Sequence, residues 1–216
     1  MPRYASFLLP VALTACTAIF RDDFEADPAG SAPLANPAGA PADSLTFAEG
    51  PGAVSVTTAL PLEGEQSLRI DGPSSRTAPR VIMYAAPIFD QTKPVFLSWS
   101  GRMGSGAQVE INIWVDFDKF PLRLNFEQGL VYANGNSIGS YSGTGEHAVF
   151  VSLNPVTDQW GVSLSGAADS GGGVAGAFPD ADDFPGSHVG IAVQLLNATG
   201  PTGYWMDDVR ISHWQG

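Results

Sequence analysis

Hydrophobic and polar residues alternate along most of this chain with a period of two, and no apolar face recurs at helical spacing for three turns, so the pattern predicts β-strands. Apolar, β-branched runs stand at 45–47, 54–60, 67–71, 81–88, 95–103 and 109–117, and again at 122–126, 130–133, 149–153, 160–164, 189–196 and 204–211. Gly, Pro, Asn or Asp clusters separate them, and a first strand is predicted over 19–25. About a dozen strands at this spacing predict an all-β fold, a two-sheet antiparallel β-sandwich of the jelly-roll kind. Asn134-Gly135 reads as a hairpin turn, and 165–178, with Gly171-Gly172-Gly173, as a flexible loop.

Alternation is most complete over 108–117. Val109, Ile111, Ile113, Val115 and Phe117 take one face, and Gln108, Glu110, Asn112, Trp114 and Asp116 the other. The next strand repeats this, with Leu122, Leu124 and Phe126 toward the core and Arg123, Asn125 and Glu127 outward. Gln194, between Val193 and Leu195, is placed to join that outward face from another strand. Planar polar groups satisfy paired sugar hydroxyls, while the apolar face of a pyranose lies on an aromatic ring. Glu110, Asn112, Trp114, Asp116, Arg123, Asn125, Glu127 and Gln194 are therefore the candidate ligand-binding residues, for a polysaccharide or other glycan. The competing reading is an ordinary solvated sheet face; against it, asparagine is depleted in strands and a tryptophan is large to leave wet. Trp99 and Trp205 read as core by their parity with Leu97 and Val209, and His147, His188 and His213 as surface residues without metal-ligand spacing.

The last strand, 204–211, carries an acid where a core residue belongs. Strict alternation puts Trp205, Asp207, Val209 and Ile211 on one face, which turns Asp207 inward. A carboxylate there needs hydrogen bonds, an ion pair or a metal. Backbone N–H groups of the N-terminal segment and a bound cation are both open as answers.

Composition narrows the partners. A chain of 216 residues with 25 glycines and 17 prolines suits one domain of strands and turns, running here over 20–216 with a Pro/Ala/Gly-rich loop at 26–44. Ten basic residues against twenty-two acidic ones give a net charge of −12, which repels phosphate backbones and excludes nucleic acid as a natural partner. Residues 1–15 have the layout of a secretory signal, with Arg3 before the apolar stretch from Phe7 to Leu13. Leu13-Thr14-Ala15-Cys16 resembles the lipobox of bacterial lipoproteins, and Cys16 is the sole cysteine. An ordinary cleaved signal or a plain buried thiol is the alternative. The lipobox resemblance implies lipidation of Cys16, a short tether over 16–19 and membrane attachment in the cell envelope. Thr17 is not the aspartate that marks inner-membrane retention in such proteins, so the outer membrane is expected.

Asp23-Phe24-Glu25 near the start and Trp205-Met206-Asp207-Asp208-Val209-Arg210-Ile211 at the end, around a dozen strands, resemble the concanavalin A-like (laminin G-like) jelly rolls and related β-sandwich carbohydrate-binding modules. That resemblance implies a structural calcium joining the chain ends, with Glu25 and Asp207 at the matching ligand positions. It also admits catalysis, since glycoside hydrolases and polysaccharide lyases occur on the same fold. The hydrolase pattern of acids at alternate strand positions is broken here, because Asn112 follows Glu110 where a second acid belongs. The alginate-lyase signatures are absent. The chain therefore reads as a lipid-anchored envelope protein that binds glycans or other surfaces, more a binder than an enzyme. A polysaccharide-degrading hydrolase or lyase, and a purely structural envelope lipoprotein, are the alternatives.

Overall fold

The computed structural model describes residues 16–35, 45–49, 54–71, 80–85, 92–115, 119–141, 145–166, 173–178, 188–197 and 203–214. Among them are fifteen strands: β1 (Cys16–Asp22), β2 (Leu45–Glu49), β3 (Val54–Thr57), β4 (Ser67–Asp71), β5 (Arg80–Ala85), β6 (Val95–Met103), β7 (Gln108–Val115) and β8 (Lys119–Glu127). They continue with β9 (Leu130–Ala133), β10 (Asn136–Ser140), β11 (Glu146–Asn154), β12 (Gln159–Gly166), β13 (Gly173–Ala177), β14 (Val189–Asn197) and β15 (Gly203–Trp214). No helix among the described residues is long and apolar enough to cross a membrane.

The strands make two antiparallel sheets packed face to face, the expected jelly-roll sandwich. The first runs β13-β12-β11-β6-β15-β4-β3, with β1 also paired to β15, and the second β10-β9-β8-β7-β14-β5-β2. Period-two alternation drives this assembly, because each strand turns every other side chain into the space between the sheets. Leu97, Tyr204 and Met206 from the first sheet meet Ile111, Leu124 and Phe126 from the second, all fully buried. Each such side chain removed from water contributes about 1.5–3 kcal/mol.

Two strands lie where the sequence reads as turn or loop. Asn134 and Gly135 form the predicted hairpin turn, with φ of 46° and 82°. The chain then returns as β10, with Asn136 opposite Ala133, instead of leaving the sheet. β13 occupies part of the supposed loop over 165–178. Its glycines are there for contact: a Cβ on Gly176 would stand 2.5 Å from the Trp160 ring, whose Nε1 donates to Ala177 O at 2.9 Å. Residues 16–19, expected as tether, are strand, with Cys16 opposite Trp214 and Ala18 opposite Ser212. Residues 1–15 and Asp116 lie outside the described residues, as do the acidic residues Asp180, Asp182 and Asp183.

His147 corrects another expectation. It is 3% exposed on β11, stacked on Phe126 (centroids 5.1 Å apart), with Nε2 3.3 Å from the Tyr204 hydroxyl. That hydroxyl accepts from Trp99 Nε1 at 2.9 Å. Burial disfavours imidazolium and lowers the His147 pKa to about 4, so it is a neutral core residue near neutral pH. Gly101 makes room for the group, since a Cβ there would fall 2.3 Å from the Tyr204 hydroxyl.

Candidate functional site

The Asp207 problem resolves through a break in alternation. β15 has β4 as neighbour over Gly203–Met206 and β1 over Val209–Trp214, and its register against β6 shifts between Asp207 and Arg210. Asp208 has φ of 45°, so Asp207-Asp208 forms a bulge that inverts the parity of everything beyond it. Tyr204 and Met206 point inward before the bulge, Val209 and Ile211 after it. Asp207 therefore does not share a face with Val209 and Ile211, and Trp205 lies on the outer face opposite Arg69 and Arg102, outside the core cluster.

Asp207, 1% exposed, turns to the loop between β3 and β4. Its Oδ2 accepts from Glu63 N and Ser67 Oγ, both at 3.0 Å, and Oδ1 from Asp208 N at 2.7 Å. Burial nevertheless raises its pKa to about 6. Glu25 holds the other side of the loop, its Oε1 accepting from Glu65 N (2.8 Å) and Gln66 N (3.0 Å). Gly64, at φ 62°, lets the loop pass, because a Cβ there would stand 2.1 Å from Glu25 Oε1. The N-terminal segment and the last strand are thus joined through one loop. The groups meeting these two carboxylates are N–H and O–H donors, whereas calcium is bound by several oxygen acceptors, and no cluster of three or more His, Cys, Asp or Glu suited to a metal occurs among the described residues. This donor set fits a hydrogen-bonded clasp and does not fit calcium.

The clasp fixes one wall of a groove on the outer face of the first sheet. Across β12, β11, β6 and β15 the register aligns Ser165, Ala148, Ser100 and Asp207 in one row and Ser163, Phe150, Ser98 and Arg210 in the next. Serines and an alanine leave a hollow of about 400 Å³, within the range of small-ligand sites. Phe96 and Phe150 stack at one side, centroids 5.6 Å apart and planes at 26°. At another, Arg210 grips Asp208 with Nε to Oδ1 at 2.9 Å and Nη2 to Oδ2 at 2.6 Å. Glu63 reaches over the floor and accepts from Ser100 Oγ at 2.8 Å. The described lining holds two acids, Glu63 and Asp208, but no histidine, tyrosine or cysteine.

The sequence-predicted face lies on the opposite side of the molecule, on β7, β8 and β14. Most of its residues do come together: Asn112 is opposite Arg123, and Glu110 is opposite both Asn125 and Gln194. They bond to one another, with Asn112 Nδ2 donating to Glu110 Oε1 (2.8 Å) and Arg123 Nε to Asn112 Oδ1 (3.0 Å). Trp114 is 3% exposed and is not an open platform for a sugar. Its ring lies flat over Gly190 on β14 toward Tyr84, 5.6 Å away between centroids. Glu127 is exposed at the end of β8, away from the network. Ser98, Ser100, Ser163 and Ser165 were missed because they look like ordinary solvated strand positions. The signal that was available is two Ser-x-Ser pairs, Ser98 and Ser100 within a predicted strand and Ser163 and Ser165 at the end of another, where small residues leave a sheet face hollow.

No family model matches the chain, and no curated protein matches it in sequence. Solved structures do. A carbohydrate esterase of the Shiga toxin-encoding bacteriophage phi24B matches 92% of this chain and 99% of its own, with a TM-score of 0.61 and 10% identity. The lectin UEA-II, solved with galactose, matches 78% of this chain and 92% of its own, with a TM-score of 0.53 and 11% identity. Peanut lectin matches 80% and 98%, with a TM-score of 0.51 and 13% identity. A sialidase with a TM-score of 0.49 is spanned over only 17% of its length. The chain has the lectin jelly-roll fold.

Proposed function

We propose that this protein is a glycan-binding protein of the bacterial cell envelope, lipid-anchored through Cys16, that seats a sugar chain in the groove on the outer face of the first sheet. The groove itself carries the reading: a sheet face hollowed by serines, with a stacked phenylalanine pair and a fixed carboxylate–guanidinium pair at its sides. Hydroxyls of Ser98, Ser163 and Ser165 both donate and accept, as sugar hydroxyls do, and the Phe150 ring offers an apolar face to a pyranose. The shared fold with lectins supports it. The lipid anchor rests on the lipobox-like Leu13-Thr14-Ala15-Cys16 and places the protein, by expectation, at the outer membrane.

Affinity electrophoresis against a polysaccharide panel tests the binding. The parent is retarded by at least one polysaccharide, and Phe150→Ala weakens that binding about tenfold while the fold is kept. A folded parent that no polysaccharide retards sinks the reading. Membrane fractionation tests the anchor, since Cys16→Ser should move the protein out of the membrane fraction.

Hydrolysis is the second reading, favoured by one observation: Glu63 and Asp208 both line the groove. New reducing ends from a polysaccharide, lost in Glu63→Gln, would make the protein an enzyme. Arg210 and Arg21 both hold Asp208, which suits a fixed ligand contact better than a catalytic acid.

A further inference from the structure

We propose that the groove takes an acidic glycan, one whose sugars carry carboxylates, and that Arg102 reads the carboxylate. This rests on the glycan reading of the groove and adds the chemical class of its ligand. Arg102 stands on β6 one pleat beyond Ser100, on the same outer face, about 7 Å along the strand. It is directly opposite Trp205 on β15 and Glu146 on β11.

Arg102 Nε and Trp205 Nε1 are buried donors without a hydrogen-bond partner. A buried N–H left unmade is costly, and native proteins leave few of them, so two on paired residues mark a place for an acceptor from outside the chain. One donor belongs to a cation and the other to a neutral indole. A carboxylate, with two oxygens and one charge, satisfies both kinds of group at once. The surroundings are arranged for exchange. Glu146 meets Arg102 through Nη2 alone, and its side chain is 54% exposed, so it is a solvent-screened partner that a ligand carboxylate displaces at small cost. Arg69 has its guanidinium carbon 5.1 Å from the centroid of the Trp205 ring and holds that ring from the other side, its own charge met by Asp71. Arg21, Arg69 and Arg210 on the same sheet turn Nε to the carboxylates of Asp208, Asp71 and Asp208 respectively, which leaves Arg102 as the one of these four with an unpartnered Nε.

The test uses a panel of oligouronates, each beside its counterpart with the carboxyl groups reduced to alcohols, measured by isothermal titration with the full chain. The parent binds at least one acidic form about tenfold or more tighter than its reduced counterpart. Arg102→Met loses that preference and keeps the weaker binding of the reduced form, while Glu146→Gln, which frees the guanidinium, strengthens acidic binding. Melting curves establish that each variant folds, and the exposed Glu146 keeps the test decisive should Arg102→Met fail to fold. Equal affinity of the parent for both forms overturns the proposal and leaves the glycan reading standing, as does an unchanged preference in folded Arg102→Met. Weaker acidic binding by Glu146→Gln also counts against it. A parent that binds neither form overturns the proposal, and retardation by the polysaccharide panel then decides the glycan reading separately.

Discussion

The outer faces of the two sheets both carry polar groups and differ in what those groups are bonded to. On the second sheet Glu110, Asn112 and Arg123 bond to one another, and the Trp114 ring covers Gly190, so the middle of the face is filled. On the first sheet the side chains over Ser98, Ser100 and Ala148 are too short to fill the space above them, and the long ones stand at the margin. A polar strand face becomes a site when it is hollow and its groups are held but not used up. Residue type alone points to the filled face, and only the pairing register reveals the hollow one.

Filling the hollow gives the largest expected effect. Ala148 sits on the floor between Ser100 and Ser165 and is exposed, so Ala148→Trp occupies the groove without disturbing the core. Glycan binding should fall at least about a hundredfold, a loss of about 2.7 kcal/mol, with the melting temperature kept. Asn112→Ala on the other face should leave binding unchanged. If Asn112→Ala abolishes binding and Ala148→Trp does not, the roles of the two faces are reversed.

Next in size is a pair of glycine substitutions. A Cβ on Gly190 would lie 2.4 Å from the Trp114 ring and 2.7 Å from Met83 O, and neither a packed indole nor a backbone carbonyl gives way cheaply. Gly190→Ala should cost about 2 kcal/mol in denaturant unfolding and shift tryptophan emission to the red as Trp114 lifts into water. On the first sheet, a Cβ on Gly161 meets only the Ser152 hydroxyl closely, at 2.8 Å, and a serine rotor can turn away. Gly161→Ala should therefore stay within about 0.5 kcal/mol of the parent. Equal costs would mean that Trp114 is not pinned as the geometry implies.

The sandwich was legible because period-two alternation survives in nearly every strand. The site was not, for three physical reasons that particular residues show. Pairing register decides which residues become neighbours, and nothing in Ser98 or Ser163 announces that Phe150 will stand between them. A single bulge residue, Asp208, inverts the parity of the last strand, so counting by twos from Val209 assigns Trp205 and Asp207 to the wrong environment. Glycine reads as freedom in a sequence, yet Gly176 and Gly190 are places where an indole needs the space. The clasp of the chain ends was anticipated through Glu25 and Asp207; that both would hold the same loop by its N–H groups depends on a tertiary contact no local pattern reveals.

A smaller effect belongs to the seam between the sheets. Asp22 at the end of β1 accepts from Thr46 Oγ1 of β2 at 2.9 Å and from Phe24 N at 3.1 Å, tying the first sheet to the second. Burial pushes its pKa from 3.8 up to about 7. The folded state therefore holds this proton more tightly than the unfolded state, so its stabilisation is complete below about pH 4 and is lost as pH rises to about 7. Asp207, raised to about 6, works in the same direction over a narrower window. The parent should melt at a higher temperature at about pH 5 than at about pH 8. Asp22→Asn, uncharged at both, should gain about 1.5 kcal/mol over the parent at the higher pH and flatten the profile. A parent more stable at the higher pH would contradict this.

The smallest expected effect tests whether the second face is inert. Glu110→Gln keeps the size of the side chain and an acceptor for Asn112 Nδ2, and removes a charge that stands 3.8 Å from Arg123 Nε, a guanidinium half open to water. Exposed pairs of this kind contribute about 0.2–1 kcal/mol, and Arg123 retains its bond to Asn112 Oδ1, so stability should change by less than about 0.5 kcal/mol. Glycan affinity should not change at all, because the network lies on the far side of the core from the groove. The double variant with Arg123→Met separates a spent network from a weak site: removing both charges leaves the binding constant fixed if the face is inert. If affinity instead drops in step with each substitution, the bonds seen between these side chains are a resting arrangement that opens for ligand. The second sheet would then be a second binding face, and a hollow would not be what makes a site on this fold.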